Sequence, residues 1–91
     1  MLPKISSYGQ YDNSNYGAHT LKVDLGDIEF YYSYETIVAY ADNQDHLVCC
    51  ENVWTNTTGK HLNWIMSDKK SRTKSDKFQE MLKLAIERHI K

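Results

Sequence analysis

The sequence predicts an α+β fold: a three- to four-stranded antiparallel sheet in meander order, with one C-terminal helix packed on one face. Three observations predict it. Leu21, Val23 and Leu25 alternate with polar residues, and so do Ile28, Phe30 and Tyr32, which is the period of half-buried strands. Gly26-Asp27 separates these runs, and a Gly-X pair suits the type II′ turn of a tight hairpin. Phe78, Met81, Leu82, Ala85, Ile86 and His89 recur at helical spacing and form one continuous stripe.

In chain order, the expected domain covers residues 1–91. Residues 1–17 are an irregular lead-in, since 6–17 are rich in Gly, Asn and Ser. Tyr8, Tyr11 and Tyr16 suggest that parts of it dock on the body. Residues 18–66 hold the sheet and its loops. After the hairpin, Thr36–Ala41 is a further strand. Tyr34-Glu35 gives no strong break, so 28–41 reads as one long bent strand or as two. Asp42-Asn43-Gln44-Asp45 is a turn by composition. His46–Trp54 is the next strand and Thr55–Lys60 a loop. Leu62, Trp64 and Ile65 make a short apolar patch, a final strand or an anchored turn. Residues 67–74 are a basic loop and 75–90 the helix. Thr73 or Ser75 is expected to cap it, with Asp76 in the first turn where the helix dipole favours an acid. His89 is expected at the edge of the core.

An apolar fraction of 41% and a charged fraction of 25% are those of a globular chain and argue against disorder. Seven Tyr and two Trp against two Phe suit half-exposed sheet faces, where rings bury area and keep a polar tip wet. The net charge of −1 hides an asymmetry. Residues 1–59 carry two Lys and eight acids, and residues 60–91 carry nine Lys/Arg and four acids. Cys49 and Cys50 are adjacent, so on a strand they point to opposite faces, and no disulfide framework is expected. A reducing, cytoplasmic setting follows. Met1–Ile5 has no apolar run of signal-peptide type, and no stretch approaches the length of a membrane span.

The densest polar constellation runs from Glu51 to Arg72. Gly59-Lys60 invites a phosphate-loop reading, but Trp54 stands where that pattern needs glycine, and His61 where it needs Ser or Thr. His61 could serve as an acid or base oriented by Glu51 or Asp68. The nucleophile candidates are Cys49, Cys50 and many hydroxyls, a single chain tests no triad spacing among them, and no enzyme is expected. His19, His46, His61, His89 and the two Cys show no zinc-type pairing, so neither metal nor cofactor is expected. Lys69, Lys70, Arg72, Lys74 and Lys77 could meet nucleic-acid phosphates, with Lys60, Trp54 and Trp64 adding charge and stacking. The acidic remainder of the chain argues against a dedicated nucleic-acid binder.

Several segments also carry a family resemblance. They are Asn15-Tyr16-Gly17-Ala18-His19-Thr20-Leu21, Tyr32-Ser33-Tyr34-Glu35-Thr36-Ile37-Val38-Ala39, the run from Glu51 to Ile65, and Asp68-Lys69-Lys70-Ser71-Arg72. Over about residues 14–90 the chain resembles a family of small uncharacterised proteins of phages, plasmids and some bacteria and archaea. The resemblance implies a viral or mobile-element origin, and it points to His19, Tyr34, Trp54, His61 and Asn63 as a set to test together. The chain departs from the family pattern at Asn56, where serine is frequent, and at Met66-Ser67, where glycines precede the Asp-Lys-Lys run.

The expected function is that of a phage- or mobile-element-type accessory protein that binds a macromolecule, with inhibition of a host defence or regulatory protein as one form. The expected binding residues are His19, Tyr34, Trp54, Lys60, His61, Asn63, Lys69, Lys70 and Arg72. A host or viral protein is the expected partner in the host cytoplasm, and nucleic acid held by residues 60–77 is the alternative. An exposed edge strand would also allow a homodimer.

Overall fold

A computed structural model describes residues 3–9 and 19–90. It has the α+β class expected, with an antiparallel sheet in meander order β1-β2-β3-β4-β5. The strands are β1 (Lys4–Ser7), β2 (Leu21–Asp24), β3 (Ile28–Ser33), β4 (Thr36–Asp42) and β5 (His46–Cys49). Helix α1 (Asn56–Ile65), a 3₁₀ turn at Lys69–Ser71 and helix α2 (Ser75–His89) follow. Among the described residues, five strands and two helices thus replace the three to four strands and single helix expected.

Each difference has a local cause. Lys4-Ile5-Ser6-Ser7 offers one apolar side chain, and all four residues are exposed. It is a strand because its backbone pairs with β2, and that leaves no hydrophobic period to read. Tyr8 docks as expected: its ring meets Tyr31 edge-on and its hydroxyl donates to the Tyr32 carbonyl at 2.8 Å. Tyr11, Tyr16 and the motif residues Asn15–Ala18 lie outside the described residues. The hairpin forms as expected, and Gly26 alone in its turn has positive φ, 96°, as type II′ requires.

Residues 28–42 are two strands, because Tyr34-Glu35 makes a two-residue turn. Tyr34 has φ 56°, a left-handed conformation that bulky residues rarely adopt, so the turn has no composition signal. Its backbone N–H donates to the His19 carbonyl at 2.9 Å, which helps hold the conformation. The fifth strand ends at Cys49 rather than at Trp54. Beyond it the chain pairs with Thr73: Thr73 N–H donates to Cys49 and Glu51 N–H to Thr73, both at 2.7 Å.

The expected loop at 55–60 and the patch at 62–65 are together helix α1. Its inward stripe is Thr58, His61, Leu62 and Ile65, at i, i+3, i+4 and i+7. Half of that stripe is polar, and Thr and Gly are poor helix formers, so neither period nor propensity announces it. Thr55 caps the helix by accepting from Thr58 N–H.

The two helices cover opposite faces of the sheet. Tyr40 and Val48 are a cross-strand pair, packed with Ile28, Phe30 and Cys50 against Phe78, Leu82 and Ala85 of α2. The next pair, Ala39 and Cys49, faces the other way and packs with Val38 against Leu62 of α1. The extra cluster is the correction to a helix on one face only. Cys49 and Cys50 are free thiols buried in different clusters, as their adjacency required. Burial pushes the Cys49 thiol up to about 12 and raises Cys50 as well, so both act as small apolar side chains.

The second helix begins without the cap expected from Thr73 or Ser75. Lys74 stands at the N-cap, and the Glu51 carboxylate accepts from Ser75 N–H at 2.8 Å instead. At the other end Arg88 and His89 both meet Asp42, which ties the helix to the β4–β5 turn. No described helix is long and apolar enough to cross a membrane.

Candidate binding site

The segment after β5 builds the site from side-chain caps. Asn52 accepts from Trp54 N–H at 3.0 Å and donates to the Thr55 carbonyl at 3.1 Å, folding the chain toward α1. The helix passes so close that a Cβ on Gly59 would stand 2.8 Å from the Asn52 amide nitrogen. Gly59 therefore serves close approach rather than phosphate binding.

Beyond α1, Arg72 returns to its C-terminal end. Its guanidinium donates to the Met66 carbonyl at 2.9 and 3.1 Å and to Asn63 Oδ1 at 2.7 Å. Met66 is the C-cap, so the cation meets the negative end of the helix dipole. Asp68 caps the 3₁₀ turn by accepting from Lys70 N–H at 3.0 Å and Ser71 Oγ at 2.9 Å. Together these contacts hold the 69–72 segment beside α1.

A cleft of about 460 Å³ lies between them, lined by Glu51, Asn52, Asn56, Gly59, Lys60, Asn63, Lys69 and Arg72. The helix contributes Asn56, Gly59, Lys60 and Asn63, again at i, i+3, i+4 and i+7, on the face opposite its buried stripe. Replacing Arg72 with alanine should loosen this wall. Three charge-assisted bonds go, and stability should fall by about 1.5–3 kcal/mol in urea unfolding. Arg72→Lys should not restore it, since an ammonium lacks the planar fork.

On the flank of α1 a second group assembles. The His19 and Tyr34 ring centroids are 4.6 Å apart, Tyr34 and His61 5.6 Å, and His61 and Trp64 5.7 Å. Lys60 Nζ lies 5.5 Å from the Trp64 ring centroid, closing the column with a cation. His61 is fully buried within it, with Nδ1 2.7 Å from Ser33 Oγ, which lies 3.1 Å from Thr58 Oγ1. Burial holds the His61 pKa below the usual histidine range, and the neighbouring His19 and Lys60 push the same way. The imidazole is therefore neutral at pH 7, a pinning group between α1 and the β3–β4 turn.

A family model matches residues 4–81 and is described as a family of unknown function. The chain belongs to that family, DUF8033. The DUF8033 match takes in every cleft residue, the ring column and the first half of α2. No curated protein and no solved structure matches the chain.

The expected binding residues form two groups within the DUF8033 region, with Trp54 and Lys70 apart from both. Lys60, Asn63, Lys69 and Arg72 line the cleft. His19, Tyr34 and His61 form the column, joined there by Trp64 rather than Trp54. Trp54 packs against both apolar clusters and lines a small pocket of about 210 Å³ with Ser33, Tyr34 and Thr58. Lys70 is exposed in the 3₁₀ turn and does not line the cleft. Sequence reasoning did not select Asn56 or Gly59, whose common face with Lys60 and Asn63 is legible only once 56–65 is known to be helical. Among the described residues no three His, Cys, Asp or Glu side chains gather to hold a metal.

Proposed function

We propose that this protein acts by binding another macromolecule through the cleft between α1 and the 69–72 segment, as an accessory protein of phage or mobile-element type. The partner is a host or viral protein, and inhibition of a host defence or regulatory protein is one form such binding takes. One observation carries the reading. Lys60 and Asn63 from one segment, and Lys69 and Arg72 from another, line a single polar cleft whose walls are held by capping hydrogen bonds. Ligand sites place a few convergent polar groups on such preformed walls.

The second reading, nucleic acid, rests on the cations of residues 60–77. The two are separated by capture from a bacterial lysate, using the wild-type chain and a Lys60→Gln/Lys69→Gln variant. The protein reading expects one captured protein, insensitive to nuclease and lost with the variant. The nucleic-acid reading expects DNA or RNA binding that weakens steeply with salt. A capture profile identical for the two chains would overturn the cleft as the binding surface.

A further inference from the structure

The charges around the cleft are not balanced by one another. Among the described residues, Lys69, Lys70, Arg72, Lys74 and Lys77 have no acid within ion-pair distance, whereas Lys22 pairs with Glu29 and Arg88 with Asp42 and Asp45. The acids nearby are committed to capping bonds. Glu51 accepts from Ser75 N–H, Asp68 from Lys70 N–H and Ser71 Oγ, and Asp76 from Lys77 N–H. These carboxylates keep their charge, but across residues 68–77 five cations outnumber two acids, Asp68 and Asp76. Positive potential at the cleft mouth is therefore built into the fold.

The cleft walls add directional groups. Arg72 can only donate, so its contact with Asn63 fixes the amide with Oδ1 toward Arg72 and leaves the NH2 end as a donor. Asn56 supplies a second amide. Lys60 and Lys69 stand on opposite walls.

Resting on the binding role proposed above, we infer that the cleft takes an acidic peptide segment of the partner protein, with Asp or Glu carboxylates between Lys60 and Lys69. Three observations favour a peptide over a nucleic-acid strand. The Glu51 carboxylate lies in the wall, where it can accept from a peptide N–H, a donor that a sugar–phosphate backbone lacks. Lys60 lies over Trp64, so that ring is covered by a cation rather than presented for base stacking. Residues 1–59 carry a net charge of −6, which repels a polyanion that runs on past the patch more than a short one seated in it.

The test uses the full chain labelled with 15N and titrated at low salt. The probes are a short N-acetylated peptide rich in Asp and Glu, its Asn/Gln counterpart, and a single-stranded oligonucleotide of equal charge. The acidic peptide should shift the amides of Asn56, Gly59, Lys60, Asn63 and Lys69 saturably, and the amide peptide should not. Lys60→Gln/Lys69→Gln, two exposed positions, should weaken it about 5–20-fold, with the amides away from the cleft and the Trp64 ring column unchanged. The inference is overturned if the amide peptide binds equally, if the shifts fall outside the cleft, or if the oligonucleotide binds more tightly than the peptide. A partner captured from lysate while the acidic peptide leaves the cleft amides unmoved would sink this inference alone. A peptide that binds here while no lysate partner is captured would sink the accessory role alone.

Discussion

Replacing Asp42 with alanine is expected to destabilise the fold by about 3–5 kcal/mol, the usual effect of removing one partner from a buried ion pair. That is a large part of the roughly 5–14 kcal/mol a chain of this size holds. The Asp42 side chain is fully buried at the end of β4. Its Oδ1 accepts from Gln44 N–H at 3.1 Å and Asp45 N–H at 2.6 Å, which shapes the β4–β5 turn. Its Oδ2 meets Arg88 at 2.7 Å and His89 Nε2 at 2.9 Å, which docks the last turn of α2. One carboxylate thus joins a turn to a helix 46 residues further along the chain. Alanine leaves two turn N–H groups without their acceptor and the Arg88 guanidinium with only Asp45, 3.6 Å away. Asparagine keeps an oxygen for the turn but puts an NH2 donor in place of the oxygen that accepts from Arg88, so Asp42→Asn should keep the turn, lose the helix tie and fall between wild type and the alanine variant. Urea unfolding followed by tryptophan fluorescence measures both, and a loss under about 1 kcal/mol for the alanine variant would refute the argument.

The same carboxylate sets an acid limit. Burial by itself would raise its pKa, but the bonds from Asp45, His89, Gln44 and Arg88 outweigh burial and hold the group below the usual carboxylate range. The unfolded chain therefore takes up the proton first. The contribution of Asp42 is complete above about pH 4 and is lost as pH falls through the folded value. Asp42→Asn should lack this loss, so the stability curves of the two chains should converge in acid.

The second large effect is expected at His61. His61→Ala removes a fully buried ring from between α1 and the sheet and leaves the Ser33 and Thr58 hydroxyls to find new partners. A cavity plus a broken buried network costs about 3–5 kcal/mol. Tyr34 also loses a ring contact, and its left-handed backbone loses support on that side. The pH dependence has a definite sign. The pKa of folded His61 lies below the ordinary 6.5, so between those values the unfolded state binds more protons. Stability should fall as pH drops below about 6.5, and a His61→Gln chain should be flatter between pH 7 and 5. Equal slopes for the two chains would show that His61 does not titrate as a buried neutral group. If instead His61 were a catalytic base, its loss would abolish turnover while the fold survived, the opposite of the outcome expected here.

Much of the fold was legible because some signals are local. The Leu21–Tyr32 hairpin rests on alternation and one glycine, and α2 rests on a stripe of six residues at helical spacing. Each is decided by free energies acting within a few residues, so the chain alone determines them. The placement of charge is also in the sequence, with the sign changing near residue 60.

Tertiary structure decided the rest. Helix α1 buries Thr58 and His61, a choice that is favourable only because Ser33, 28 residues before His61, supplies the hydrogen-bond partner. Taken alone, 55–60 has the composition of a loop. The turn at Tyr34 likewise has no turn residue and depends on His19 and His61 around the ring. Strand β1 exists only through its ladder with β2. The cleft follows from these decisions. Lys60, Asn63, Lys69 and Arg72 stand out in the sequence within a dense polar run, but the walls they form with Asn56 and Gly59 appear only when α1 is a helix and Arg72 returns to its end. A polar residue becomes part of a wall or part of a loop according to partners far along the chain, and no local period records them.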